Sequence, residues 1–437
     1  SRYVFRDGHG PSGESPPNNW RSVFGGPAWT RVAGPRQRPQ WYLHLFDPAQ
    51  PDLNWRNPEV VAEFEDILRF WLDRGIDGFR IDVAHGLIKQ DGLPDWDEAS
   101  AAISGGNGAP MWDQDEVHEI YRGWNAVLAE YGGDRILVAE AWVSPAERLG
   151  RYVRVDEMQQ AFNFEFMKAG WDPMRMQHSI DTALSTNAAV GATTTWVLSN
   201  HDVVRHTSRF GLVDPTRWTN GIGPDDEQPD AALGLTRGRA ATLLLLALPG
   251  SAYLYQGAEL GLPEHTQLPA GARQDPTFFR TGGAEVGRDG CRVPIPWRSQ
   301  APGYGFGPTD KTWLPQPEAF AALAVDRQDG IPGSTLELYR TAISERRRLG
   351  LGRGQLRWNE ASRTVLDLTN TGKAEPGAAE RDARGDGIRV LVNFGTTPLP
   401  LPAGHEVLLA SEEAAIAGGA LAPNTAAWLR HRASPNA

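Results

Sequence analysis

From Asn57 onward the chain alternates between two textures. Asn57 reads as an N-cap and Pro58 as the first helical residue; Val60, Val61, Phe64, Ile67, Leu68, Trp71 and Leu72 then recur at helical spacing until Gly75. Directly after comes Gly78-Phe79-Arg80-Ile81-Asp82-Val83, a short buried strand. The same unit repeats: Val117, Ile120, Tyr121, Trp124, Val127, Leu128 and Tyr131 predict a second helix, Gly132 stops it, and Ile136-Leu137-Val138-Ala139 predicts a strand ending at Glu140. Further strands are expected at 160–166 and 193–199. A helix at about 235–248 breaks at Pro249-Gly250 and leads into a strand at 251–255. Five strands alternating with helices predict an α/β architecture with a parallel sheet.

The two ends differ from this middle. Residues 1–57 hold eight Pro and six Gly, and their turn chemistry predicts irregular, loop-built structure. After Trp297 a Gly/Pro-rich stretch precedes a helix opened by the capping box Ser334-Thr335-Leu336-Glu337 and closed at Gly350. Beyond it, strands are expected at 365–368, 389–394, 406–409 and 426–429, a small separate β domain, with 372–387 as a surface loop.

Composition narrows the function. Lys and Arg total 43 against 54 Asp and Glu, and the net charge of −11 would repel phosphate backbones and anionic lipid, so no nucleic acid or membrane partner is expected. The longest apolar stretch, Ala240 to Leu248, is too short to span a bilayer. A single cysteine, Cys291, excludes an intramolecular disulfide and a CxxC metal site. The 16 Trp outnumber the 9 Tyr and the 15 Phe; their rings suit stacking on sugar faces as well as filling a core.

Three acids share one context: Asp82 and Glu140 end apolar strands, and Asp202 follows a strand in Asn200-His201-Asp202. In parallel α/β barrels the strand C-termini open onto the active-site face, so acids placed there can converge on one pocket. A carboxylate at a strand end also serves as a helix N-cap, and that reading stands beside the catalytic one for each acid alone. Arg80 lies two residues before Asp82, on the same strand face, where it can hold that carboxylate ionised or simply form a structural ion pair.

Gly78-Phe79-Arg80-Ile81-Asp82, Ala139-Glu140-Ala141-Trp142 and Ser199-Asn200-His201-Asp202 resemble three ordered motifs of the α-amylase family of glycoside hydrolases. Gln50-Pro51-Asp52-Leu53-Asn54 resembles the domain-B motif of its oligo-1,6-glucosidase and α-glucosidase branch. Leu248 to Gly257 resembles the eighth-strand region, and Arg288 to Pro294 the loop following it. The resemblance implies strands four to eight of a (β/α)8 TIM barrel at 58–350, the late part of domain B at 1–57 and a C-terminal antiparallel β domain at 351–437.

It further implies Asp82 as nucleophile, Glu140 as acid/base and Asp202 as the carboxylate that grips sugar hydroxyls. His201 would bind the reacting sugar and Arg288 and Arg292 would line the pocket, with loop salt bridges as their alternative. Phe46 and Gln50 match positions near the leaving-group side. Burial beside Trp142 and neighbouring negative charge should raise the pKa of Glu140. The substrate would be an α-glucoside oligosaccharide, hydrolysed with retention; Val83 after the nucleophile resembles the α-1,6-acting members.

The same acids serve transglycosylation, sucrose isomerisation and trehalose formation, and a non-catalytic amylase-fold homologue that chaperones transporters is the rival from another class. No cofactor is expected; any structural calcium would find its ligands upstream. The resemblance implies that the family's first three strand–helix units are not in this sequence, so the expected partner is an N-terminal part of the same protein. A single, monomeric, active 47.9 kDa species in mass spectrometry would contradict that. A cytoplasmic location is expected.

Overall fold

The computed structural model describes residues 1–32, 39–96, 108–373 and 387–432. They divide between two compact units, 1–162 with 182–194 and 276–284, and 163–181 with 195–275 and 285–437.

In the first unit, β1 (Phe5–Asp7), β2 (Trp29–Arg31) and β3 (Gln40–Leu43) form an antiparallel sheet in the order β1-β3-β2. The expectation of irregular structure is corrected here, because Ala28, Trp29, Leu43 and Leu45 are buried together among the Pro and Gly turns. α1 (Pro58–Leu72) starts as expected: the Asn57 side chain accepts the Glu59 N–H at 3.0 Å. β4 (Gly78–Ile81), α2 (Val117–Ala129), β5 (Ile136–Ala139), α3 (Ala146–Arg151) and β6 (Gln160–Ala161) follow.

β4, β5 and β6 pair in parallel, with Ile81 opposite Ala139 and Ala139 opposite Ala161. Gly78 is required where it stands, since a Cβ there would meet the Ile136 carbonyl oxygen at 2.4 Å. The core between α1, α2 and the sheet holds Val60, Leu68, Leu72, Ile81, Tyr121, Trp124, Leu137 and Ala139. Trp124 lies stacked on Phe64, 6.2 Å between centroids, and edge-on to Trp55. Its truncation to Ala would cost roughly 3–5 kcal/mol. Trp71, placed with the core by helical spacing, is instead 46% exposed, edge-on to Phe70, whose ring also lies under the Arg74 guanidinium. α1 carries more apolar residues than its inward stripe can take.

The strand expected at 160–166 stops early because the Asn163 side chain caps α4 (Phe164–Lys168), accepting the Phe166 N–H at 3.2 Å. α5 (Pro173–Val190), β7 (Thr195–Val197), α6 (His206–Arg209), α7 (Ala231–Ala247) and β8 (Ser251–Tyr253) come next, and β7 pairs in parallel with β8. α7 is buried on nearly every side from Gly238 to Ala247.

The helix Thr335–Arg348 shows half of the expected capping box. Ser334 Oγ accepts the Glu337 N–H, while the Glu337 carboxylate turns to Gly330 N–H and Arg340. The C-terminal strands appear where expected, with one more ahead of them: β9 (Leu356–Ala361), β10 (Val365–Asn370) and β11 (Ile388–Asn393) join the strands His405–Ala410 and Ala426–His431 in one antiparallel sheet. This sheet is tied to α7, Trp428 Nε1 donating to the Leu243 carbonyl and Asn370 Nδ2 to that of Ala247. Residues 374–386 of the expected surface loop lie outside the described residues.

Candidate active site

In the first unit, β4 and β5 deliver their acids side by side because they are parallel neighbours in register. Asp82 stands immediately past β4, its side chain 71% exposed, with Arg80 Nη1 at 2.7 Å from Oδ1. Arg80 reaches Asp82 as the alternation of the strand predicts, and its Nη2 lies 3.8 Å from Glu140 Oε2. Glu140, immediately past β5, is only 4% exposed at its side chain. Its Oε2 accepts the Val83 N–H at 2.7 Å and its Oε1 accepts the Trp142 indole N–H.

Burial pushes the Glu140 carboxyl above its ordinary value; the Val83 N–H opposes this, Asp82 adds to it, and the Trp142 and Arg80 contacts oppose it. The expected rise is therefore present, with one correction. Trp142 favours the charged form through its N–H, so it tempers the rise that the surrounding burial causes.

Val83 has φ +44° and ψ +47°, a left-handed conformation that costs a β-branched residue about 1–2 kcal/mol. The turn that carries it is braced from several sides. Ala84 N–H donates to the Glu140 carbonyl at 2.8 Å, Gly86 N–H to the Val83 carbonyl at 2.8 Å, Tyr121 Oη to the Ala84 carbonyl and Lys89 Nζ to the Gly86 carbonyl. Lys89 in turn pairs with Asp52 at 2.6 Å, and Asp52 accepts the Leu45 N–H at 2.7 Å. The Gln50 to Asn54 motif thus has a structural use: it fastens the turn that follows Asp82.

Gln50 itself closes a local turn, its N–H donating to the Asp47 carbonyl at 2.8 Å, and is exposed. Phe46 packs edge-on against Phe24 and Trp112, at 5.5 and 6.4 Å. Trp112, Asp113, Gln114, Trp142, Ser144 and Arg148 line a cleft of about 490 Å³ in this unit. Its aromatic walls and hydrogen-bonding groups suit a hydroxyl-rich ligand.

In the second unit, Asn200 Oδ1 accepts the Asp202 N–H at 2.8 Å just past β7, turning the acid out of the strand. Asp202 Oδ1 receives Arg288 Nη1 at 2.8 Å and Arg292 Nη2 at 2.9 Å, and Oδ2 lies 3.2 Å from His201 Nε2. Arg292 Nε also donates to the His201 carbonyl at 2.7 Å. His201, Asp202, Arg288 and Arg292 are therefore one cluster, and His201 is half-exposed beside its acid, not packed in a core.

Sequence reading missed Asp275. Fully buried, it accepts both the backbone N–H and Nε of Arg288 at 2.7 Å, so one face of that guanidinium is fixed while the other meets Asp202. Burial alone would lower Arg288, yet Asp275 and Asp202 hold it above the usual arginine range. Its only signal was an Asp-Pro pair in a loop. Among the described residues, no group of three or more His, Cys, Asp or Glu could hold a metal ion.

Residues 2–351 match the alpha amylase catalytic domain, and residues 370–428 a C-terminal domain of unknown function that carries the designation DUF3459. The chain belongs to the α-amylase family of glycoside hydrolases. It is 32% identical over 387 residues to a probable alpha-glucosidase of Rhizobium meliloti, covering 83% of this chain and 64% of that protein. Against a salivary alpha-glucosidase of Anopheles gambiae the identity is 30%, over 89% of this chain and 62% of the relative. The chain thus spans a little under two thirds of the length of these curated relatives. Among solved structures it is similar to the alpha-glucosyl transfer enzyme XgtA, with a TM-score of 0.78 and 28% identity over 99% of this chain and 77% of that one. The trehalulose synthase MutB, as its A258V variant, gives 0.78 at 25% over 98% and 78%. The architecture is accordingly that of a TIM-barrel catalytic domain with a C-terminal β domain.

Proposed function

We propose that this chain carries out retaining exo-acting α-glucosidase chemistry, removing terminal α-linked glucose from short oligosaccharides. The observation that carries the reading is the pairing at the ends of β4 and β5: an exposed, arginine-paired Asp82 beside a buried Glu140 whose proton affinity is raised. A retaining glycosidase needs that asymmetry, one carboxylate to attack the anomeric carbon and one carboxylic acid to protonate the departing oxygen.

Asp82 attacks to form a glucosyl ester as Glu140 gives its proton to the leaving oxygen. Glu140, now ionised and stabilised by the Val83 and Trp142 N–H groups, takes a proton from water, and the hydroxide equivalent releases glucose from Asp82. Asp202, held by two arginines, is assigned to the sugar hydroxyls with His201, and the cleft beside Trp142 to the leaving group. Arg288 and Arg292 act through Asp202, and Phe46 belongs to the wall near Trp112. We read β4 to β8 as strands four to eight of the barrel; their parallel registers support this.

Likeness to a glucosyl transfer enzyme and a trehalulose synthase supports a second reading, in which a sugar hydroxyl replaces water in the second step. Incubation with p-nitrophenyl α-glucoside, maltose, isomaltose and sucrose, with product analysis, tests both. Free glucose as the main product supports hydrolysis, and new disaccharides support transfer. No turnover of any of them would remove both readings and leave the non-catalytic rival.

A further inference from the structure

We propose that the backbone N–H of Val83, aimed by a left-handed residue directly after Asp82, is a positioning group that fixes Glu140 Oε2 for proton transfer. The inference rests on the glucosidase reading for its purpose but on geometry for its content. An L-residue with a branched Cβ avoids φ +44° unless its surroundings over-determine it. Here they do: the turn is held by Tyr121 on the Ala84 carbonyl, Lys89 on the Gly86 carbonyl and Ala84 N–H on the Glu140 carbonyl. What the turn achieves is a 2.7 Å hydrogen bond from the residue after Asp82 to the neighbouring acid.

The bond has a direction of effect. A backbone N–H donor favours the charged carboxyl, whereas the burial of Glu140 and the charge of Asp82 favour the protonated one. Val83 thereby sets how far Glu140 is lifted, and it does so from the same peptide that carries Asp82. Nucleophile and acid are coupled through one peptide unit. A displacement of Asp82 along its strand moves the donor on Glu140 with it.

The test replaces the Asp82–Val83 amide by an ester, with 2-hydroxyisovalerate at position 83, in the full chain. This removes the N–H and keeps the side chain. Val83→Gly is the companion, since it relieves the left-handed backbone and keeps the N–H. The readout is the titration midpoint of the Glu140 carboxyl by isotope-edited infrared spectroscopy, assigned by difference against Glu140→Gln, which needs no turnover. The ester should raise the midpoint by about one pH unit, a tenfold change in proton affinity, and the glycine variant should leave it in place.

Where turnover is measurable, the basic limb of kcat/KM should move up with it in the ester alone. An unchanged midpoint in the ester, or an equal shift in both variants, overturns the inference. If the ester protein does not fold, selective 15N-valine labelling of the unmodified chain decides. The Val83 amide proton shift must follow the Glu140 midpoint and lose that response in Glu140→Gln; a flat response overturns the proposal. Because neither spectroscopic readout depends on hydrolysis, failure of the glucosidase reading shows separately, as absence of glucose release.

Discussion

Glu140 and Asp202 both stand just past parallel strands, yet their surroundings differ in kind. Glu140 is buried, touched by two neutral N–H donors and only distantly by Arg80. Asp202 is partly open and gripped by Arg288 and Arg292, with Arg288 itself anchored on buried Asp275. The first setting leaves a proton free to come and go. The second holds its carboxyl between two arginines. Identical placement at strand ends therefore does not assign a role; the donors around each carboxyl do.

The most severe way to probe the contrast is Asp82→Asn, which removes the partner that makes proton exchange at Glu140 useful. Turnover of every α-glucoside should fall by about 10⁴-fold or more, measured on purified protein with unchanged thermal unfolding.

Next comes a direct comparison of Glu140→Gln with Asp202→Asn. Loss of a general acid costs about 10²–10⁴-fold. It should be large on maltose and much smaller on glucosyl fluoride, whose leaving group needs no proton. Asp202→Asn should slow both substrates alike. Equal losses on the two substrates in the Glu140 variant would contradict its role as acid.

A smaller effect is expected from Asp275→Asn, which frees Arg288 without touching Asp202. Activity should drop at least about tenfold, equivalent to 1.4 kcal/mol at the barrier, and stability by roughly 3 kcal/mol as a buried ion pair is broken. Stability loss with kcat/KM intact would show that the anchor serves the fold alone.

The mildest change sharpens the contrast from the other side. Glu264, in the second unit, is as buried as Glu140; burial pushes its carboxyl from an ordinary 4.5 up to about 7 against the Arg205 N–H and nearby arginines. A carboxyl raised in the folded state gives its stability in full below the unfolded value and loses it as pH climbs through the folded one. Unfolding free energy should thus decline between pH 4.5 and 7, by a total on the order of 3 kcal/mol at about 1.4 per unit. Glu264→Gln should flatten that slope in denaturant titrations across the range. A slope that survives the substitution belongs to other groups.

Much of this arrangement was readable beforehand. The Asn57-Pro58 start of α1, the apolar runs that become β4 and β5, and the acids at their ends are local signals, and Arg80 follows from strand alternation. The N-terminal sheet was not legible, since strands of three or four residues are too short to show a period amid Pro and Gly turns. α5 went unseen because few of its residues, Met176 and Ile180 among them, are buried apolar ones. Trp71 misled because spacing gives a stripe but not its width. Asp275 and the Val83 amide were hidden for a different reason. One acts through a neighbour from another loop and the other through a backbone dihedral angle, and residue types record neither.

The Lys89 ammonium ties Asp52 to the Gly86 carbonyl, and so binds a stretch some thirty residues upstream of Asp82 to the turn just beyond it. Its consequence is one of mechanical tolerance. Asp82 and Glu140 inherit their placement from a fastener set outside the pair itself. Variation at Asp52 or Lys89 would surface as faulty chemistry in a pocket that still looks complete, and an engineer swapping the upstream loop must carry that ion pair across with it.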